Sequence, residues 1–178
     1  RSLRPGVSSA SDGAGTVNLD FGISNQLWKF DPALRQWAFV SGCKNVSACV
    51  TPSGTQGVES AGNLPPLRFG AGVVIARDGS DAIWVFGGNR LPAASQAGGL
   101  NDLWRFNPTT RGWAFVAGTL QTDYRNDASL PGGGRNMAMA ISPQNVISIF
   151  GGWGAGSTIT YGFLQVSTLV CVCASLLP

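Results

Sequence analysis

Arginine and asparagine side chains beside two Phe-Gly-Gly sequences are the residues of this chain best suited to binding chemistry. Arg68 and Arg135 each precede a run of small and apolar residues that leads to such a sequence. The residues that directly follow the two Gly-Gly pairs are Asn89, Arg90 and Trp153. A guanidinium is a planar fork of hydrogen-bond donors that suits carboxylates, so these positions predict a site for acidic groups. The alternative is structural, with the arginines bonded to backbone carbonyls and Trp153 packed in a core.

Side chains that build catalytic centres are scarce in this sequence. There is no histidine, which excludes a Ser-His-Asp triad from these 178 residues. The pair Asp78 and Asp81 falls in a predicted turn of a short connection. No Cys-x-x-Cys motif indicates a metal site, and the sequence Phe-Gly-Gly-Asn-Arg lacks the ending of a phosphate-binding loop. We therefore expect no catalytic residue, cofactor or metal in this segment.

An internal repeat indicates which elements position the candidate residues. Segments 25–42 and 101–118 are identical at eleven of eighteen positions, at a spacing of 76 residues. A second pair, 68–88 and 135–152, alternates with the first, and each member begins with Arg and ends with Phe-Gly-Gly. Such repetition predicts a modular architecture of supersecondary units.

Each half of the repeat predicts two short strands. The runs are rich in β-branched, aromatic or small apolar residues, and Asp31-Pro32 and Asn107-Pro108 predict tight turns between them. The predicted strands are 27–30, 37–40, 70–76, 82–86, 103–106, 113–116, 136–141 and 146–150. No segment has helical periodicity, so the chain is predicted to be all-β and built from four-stranded antiparallel meanders.

The sequence Gly-Gly, then Asn-x-Leu-Trp, an aromatic-Asp/Asn-Pro turn and a later Trp resembles the kelch repeat over residues 25–152. The resemblance to kelch and galactose-oxidase-type propellers implies four-stranded blades with strands named A to D. It implies strands C and D of a first blade, a complete second blade and strands A and B of a third. About two blades form an incomplete ring, because closed propellers have typically 4–8 blades. Structural roles follow for the motif residues Trp28, Trp37, Gly87, Gly88, Trp104, Trp113, Gly151 and Gly152.

The resemblance also implies a function. In kelch propellers, residues at the positions of Arg68, Asn89, Arg90, Arg135 and Trp153 line the entrance of the central channel and contact partner peptides. We therefore expect a non-catalytic scaffold that binds a protein or glycan partner. The alternative is a fragment of a secreted propeller enzyme similar to galactose oxidase. That enzyme's copper ligands include His and a Cys-linked Tyr, so the catalytic residues would lie outside this chain.

Loop lengths predict which side of the blades binds. An antiparallel meander places the D–A and B–C connections at one end of the sheets and the A–B and C–D connections at the other. The first group is long, as in 42–67, 89–100 and 118–134, whereas 77–81 and 107–112 on the opposite side are short. We call the long-loop side the rim and expect the partner to bind there.

Two weak signals in the first long connection predict an oxidising, extracellular or cell-surface location, with a cytoplasmic location as the alternative. Cys43 and Cys49 are spaced to close a small disulfide ring, and Asn45 begins a glycosylation sequon between them. The alternative is two free thiols. The net charge of +3 forms no basic cluster, so no nucleic-acid partner is expected.

The two ends of the chain depart from the repeat. Residues 1–24 are predicted to be a loop at the end of a truncated blade. The tail 153–178 is apolar and lacks the Asn-x-Leu-Trp motif that is due near Gln165. Three interpretations are open for this tail: a degenerate strand, translated non-coding sequence, or a shortened membrane anchor, the only one that brings membrane contact. The other partners implied are the remaining blades of the same ring, supplied by a longer chain or by an oligomer.

Overall fold

The computed structural model describes residues 7–11, 16–20, 25–45, 54–90, 99–120, 131–154 and 166–169. Within these residues the regular secondary structure is entirely β, the strand pairs within the sheets are antiparallel, and no helix occurs. The all-β prediction is therefore confirmed, and the sheets form an unclosed stack consistent with partial β-propeller blades. None of the described residues belongs to a helix that could cross a membrane.

Sheet I contains four strands in chain order, where the sequence predicted two. They are β1 (Val7–Ser11), β2 (Thr16–Asp20), β3 (Gln26–Asp31) and β4 (Gln36–Ser41). The segment 1–24 is thus not simply a loop, because β1 and β2 extend the sheet from the edge of β3. These two strands lack a bulky apolar pattern, and backbone pairing to a neighbouring strand compensates for weak propensity.

Sheet II is the predicted complete meander with an added edge strand. Its order is β5 (Glu59–Ser60), β11 (Gly112–Ala117), β10 (Leu103–Asn107), β8 (Ile83–Phe86) and β7 (Gly72–Ile75). β5 belongs to the connection from sheet I and pairs with the outer strand. Glu59 holds it there by accepting hydrogen bonds from Asn107 Nδ2 at 3.1 Å and Thr110 Oγ1 at 2.5 Å. An otherwise exposed sheet edge is thereby covered in part.

Sheet III contains a strand from the apolar tail 153–178. It consists of β13 (Ala138–Ile141), β14 (Ile147–Phe150) and β16 (Val166–Leu169). Val166 pairs with Phe150 as Leu103 pairs with Phe86 in sheet II, so β16 occupies the place of a C strand. Of the three interpretations of the tail, the degenerate strand matches these described residues.

Two short strand pairs lie at the rim end of sheets II and III. β6 (Arg68–Phe69) pairs with β9 (Asn89–Arg90), and β12 (Gly134–Arg135) pairs with β15 (Trp153–Gly154). Their register corrects the sequence alignment of the repeat. In the backbone register, Arg68 pairs with Arg90, the second residue after its Gly-Gly pair, and Gly134 pairs with Gly154, the second residue after the other Gly-Gly pair. Gly134, and not Arg135, is therefore the structural counterpart of Arg68. Arg135 instead corresponds to Phe69.

The same register continues along the strands. Gly72 pairs with Phe86 and Ala138 pairs with Phe150. Gly70 and Asn136, which this alignment equates, both adopt left-handed backbone, with φ of 69° and 58°. Because side chains alternate between the faces of a strand, the difference of one residue places Arg68 and Arg135 on opposite faces.

The hydrophobic core lies between the sheets. One cluster joins sheets I and II and includes Leu27, Trp104, Phe106, Trp113 and Phe115. A second joins sheets II and III and includes Val74, Trp84, Phe86, Ile147 and Ile149. Sheet II is therefore covered on both faces, and the strands stack in the manner of repeat proteins.

Candidate functional site

The described strand ends show how the rim is assembled. In sheet I, Asn25 Oδ1 accepts a hydrogen bond from the Cys43 amide at 2.9 Å, and in sheet II Asn101 Oδ1 accepts one from the Thr119 amide at 3.0 Å. These bonds bring the beginning of each C strand against the end of its D strand. The short turns lie at the opposite end, as the meander predicts.

Arg68, the first candidate, is buried. Its Nη1 donates to Gly87 O at 2.8 Å and to Asp102 Oδ1 at 2.7 Å, its Nη2 donates to Asp102 Oδ2 at 2.5 Å, and its Nε donates to Pro66 O at 3.1 Å. Both side chains of the Arg68–Asp102 pair are 0% exposed. A partner at the rim would not touch this guanidinium, so the structure gives Arg68 the structural role that was the alternative.

Arg135 lies in a different environment, as the register requires. Its guanidinium is 5.5 Å from the centroid of the Phe69 ring, which is the geometry of a cation–π contact. The side chain is half-buried. Phe69 also pairs through its backbone with Asn89, so this ring brings the B–C connection of sheet II close to the beginning of sheet III.

The residues after the Gly-Gly pairs also lie at the rim. Asn89 and Arg90 are half-buried, and Arg90 Nη1 donates to Leu120 O at 3.4 Å in the next long connection. The backbone of Trp153 pairs with Arg135, and the Trp153 side chain lies outside the described residues. Directly opposite residues of a strand pair share a face, so Phe69 and Asn89 lie on one face of this pair and Arg90 lies with Arg68 on the other. Arg135, Phe69 and Asn89 therefore form the patch that we call the inner rim.

The glycine pairs give the inner rim its backbone shape. Gly87 and Gly88 have φ of 63° and 95°, and Gly151 and Gly152 have φ of 65° and 95°. Residues other than glycine rarely adopt backbone conformations with positive φ. The Gly88 amide donates to Gly134 O at 2.7 Å, so the turn also connects sheets II and III.

The motif tryptophans differ in burial. Trp104 and Trp113 are fully buried, with Trp104 Nε1 donating to Asp102 Oδ2 at 2.7 Å and Trp113 Nε1 donating to Ser41 Oγ at 3.0 Å. Trp28 is half-buried, while Trp37 is 50% exposed at the outer face of sheet I.

The sequence interpretation overlooked Asp102. This carboxylate accepts hydrogen bonds from both Arg68 and Trp104, and at the repeat-equivalent position of sheet I Gln26 Oε1 accepts one from Trp28 Nε1 at 3.0 Å. The signal was present in the repeat, because an acceptor precedes Leu-Trp in both copies.

Two remaining candidates lie in the first long connection. Cys43 is disulfide-bonded, whereas Cys49, its predicted partner, lies outside the described residues. Asn45 is exposed, as a glycosylation acceptor must be. The pairing and the modification both stay predictions.

The short-turn side contains an acidic contact between sheets. Asp78 accepts hydrogen bonds from Ser80 Oγ at 2.6 Å and from Asn145 Nδ2 at 2.6 Å. These bonds, with that of Ser80 first, lower the pKa of Asp78 from 3.8 to about 2. In the described ranges, this contact included, no group of three His, Cys, Asp or Glu side chains is arranged to hold a metal ion.

Comparison with known proteins shows the fold and little more. No protein-family model and no curated protein matches the chain. The solved structure of YjhT is similar over 85% of this chain, with a TM-score of 0.54 and 15% sequence identity. The present chain spans 35% of that protein's chain. At this identity the likeness concerns the architecture alone.

Proposed function

We propose that this chain is a segment of a kelch-type β-propeller whose rim binds a protein or glycan partner without catalysing a reaction. The observation that carries the proposal is the division of the molecule into two sides. Repeated aromatic motifs build the sheets, while the long connections begin and end at one end of the sheets and differ from one another in length and sequence. The first of them also extends along the edge of sheet II as β5, where Glu59 contacts the short turn 107–112. Binding residues in such scaffolds lie in variable loops held by a rigid framework.

The inner rim supports a preference for acidic groups. Arg135 places a guanidinium over the Phe69 ring, and the side chain of Asn89 lies on the same face of the β6–β9 pair as that ring. The Phe69 ring holds the Arg135 guanidinium in a fixed place, which reduces the entropy lost on binding. A carboxylate on a peptide side chain or on a sugar is the ligand chemistry that fits.

Binding of carboxylate-bearing probes tests this function. A peptide display library and a glycan array would be screened with the wild-type chain, and the best ligand would be measured with two variants. Arg135→Ala is expected to weaken binding about 10-fold or more, because a hydrogen bond to a charged group contributes roughly 1.5–3 kcal/mol. Arg77→Ala, an exposed arginine in the short turn 77–81, is the matched control.

Two results would contradict the proposal. The first is unchanged affinity in Arg135→Ala with an intact circular dichroism spectrum. The second is a loss of affinity in Arg77→Ala equal to that in Arg135→Ala, which would indicate that the ligand is attracted to the net positive charge and not to a specific site.

We further propose an oxidising compartment for the rim, supported by the disulfide at Cys43. Peptide mapping of the protein from its natural source, without reductant, tests this location. A free thiol at Cys43 in that material would contradict it.

A further inference from the structure

The outer face of sheet I is aromatic and partly open: Trp37 is exposed, the other three rings are half-buried, and Lys44 Nζ lies 4.9 Å from the centroid of Phe39. Its residues Trp28, Phe30, Trp37 and Phe39 form two ring contacts, with centroids 5.4 Å and 5.0 Å apart. We call this set the open aromatic face. The repeat-equivalent residues of sheet II form the same ring contacts but are buried beneath sheet I. They are Trp104, Phe106, Trp113 and Phe115.

Two polar side chains distinguish the covered face from the open one. In sheet II, Arg111 Nη2 donates to Val40 O at 2.7 Å and Trp113 Nε1 donates to Ser41 Oγ at 3.0 Å, both across to sheet I. The equivalents at a spacing of 76 residues are Arg35 and Trp37. Both are exposed, and within the described part of the chain neither makes the equivalent contact. The open aromatic face thus has the rings and donors of a surface that a neighbouring sheet covers.

The other end of the stack has the complementary surface. Phe150 and Ala140 on sheet III correspond by strand register to Phe86 and Val74 of sheet II, which pack against sheet III. Phe150 is 46% exposed and Ala140 is exposed. We call this second surface the Phe150 face.

We propose that the Phe150 face of one copy of this chain packs on the open aromatic face of a second copy. The contact would repeat the packing that joins sheets I, II and III within one chain. A head-to-tail contact either closes or continues as a filament. Two copies of the three stacked sheets in the described residues would give a ring of about six blades, within the closed range of 4–8, so we expect this 178-residue chain to form a closed dimer in solution. This proposal does not depend on ligand binding at the rim.

Light scattering coupled to size-exclusion chromatography, with native mass spectrometry, measures the association. The wild-type chain of 18.5 kDa is expected to have twice that mass across a dilution series. Trp37→Ser and Phe150→Ser should each produce monomers, because each damages both contacts of the ring. Val58→Ser, which removes an equally exposed apolar side chain outside both faces, should remain dimeric. Circular dichroism confirms that each variant is folded.

Mixing the Trp37→Ser and Phe150→Ser variants tests whether the two copies pack head to tail, with unlike faces in contact. One contact of the mixed pair is built from two intact faces, so heterodimers should form in the mixture. A dimeric Phe150→Ser variant would overturn the proposal, because it would indicate that two open aromatic faces pack on each other. A monomeric wild type would also overturn the proposal and would indicate that another partner covers the open aromatic face. A mass that keeps growing with concentration would overturn it as well, because it would indicate an open filament.

Discussion

At the scale of single residues, a buried ion pair fixes the start of sheet II. Arg68 connects the beginning of the A strand, the carbonyl of Gly87 and the carboxylate of Asp102. Burying a charged group away from water costs free energy unless the group is paired and hydrogen-bonded. Here both carboxylate oxygens of Asp102 accept hydrogen bonds. In sheet I the neutral amide of Gln26 performs part of the same task by accepting from Trp28. The indole N–H of the motif tryptophan needs a hydrogen-bond acceptor, which is a charged carboxylate (Asp102) in sheet II and a neutral amide (Gln26) in sheet I.

This comparison predicts the effect of removing the pair. Arg68→Ala leaves the Asp102 carboxylate buried without its counter-ion, so we expect the free energy of unfolding to fall by about 3–5 kcal/mol. The double variant Arg68→Leu/Asp102→Gln copies the neutral acceptor of sheet I and should be more stable than Arg68→Ala. Urea denaturation of both variants, with Arg77→Ala as control, measures the difference. A stability of Arg68→Ala equal to that of the control would show that the ion pair contributes nothing.

At the scale of elements, the sequence predicted the strands of the repeat but not their register. Aromatic and β-branched runs mark β8, β10 and β11 clearly, because these strands are buried in the core. Aligning Arg135 with Arg68 was wrong by one residue, since residue type does not reveal which neighbours a backbone pairs with. The strands β1, β2 and β16 lack the repeat motif and were not predicted. Their place in the sheets comes from backbone pairing with neighbouring strands and not from their composition. Of the two arginines that were predicted to bind, Arg68 is buried in an ion pair, while Arg135 lies on Phe69 and stays a candidate.

The end of a D strand gives a prediction at this scale. Gly118 has φ of 89°, and a Cβ there would collide with the backbone of Asn101. Gly57 has φ of 79°, with open space around it. We expect Gly57→Ala to cost about 1–2 kcal/mol from left-handed strain alone. Gly118→Ala should cost more, because Asn101 and Asp102 must also move.

Thermal and urea unfolding of the two variants measure this difference. Equal costs would show that the beginning of β10 moves freely, contrary to a C strand fixed by the Asp102 hydrogen bonds.

At the scale of the whole molecule, stability is distributed along a stack. Each sheet buries its faces only against its neighbours, so the coverage of a sheet depends on its place in the row. Sheet II contributes to both hydrophobic clusters, whereas sheets I and III each contribute to one. Local opening in such an array requires least free energy at the uncovered ends.

Hydrogen exchange tests this gradient and also its dependence on association. In monomeric Phe150→Ser, amides of β8 and β10 should exchange slowest, and those of β3, β4, β13 and β14 should exchange faster. In the proposed wild-type dimer the protection of β3 and β4 should rise towards that of sheet II, because a neighbouring sheet would then cover Trp37. Uniform protection in the monomer would contradict the stack of separately covered units. A dimer that left β3 and β4 unprotected would place its contact away from the open aromatic face.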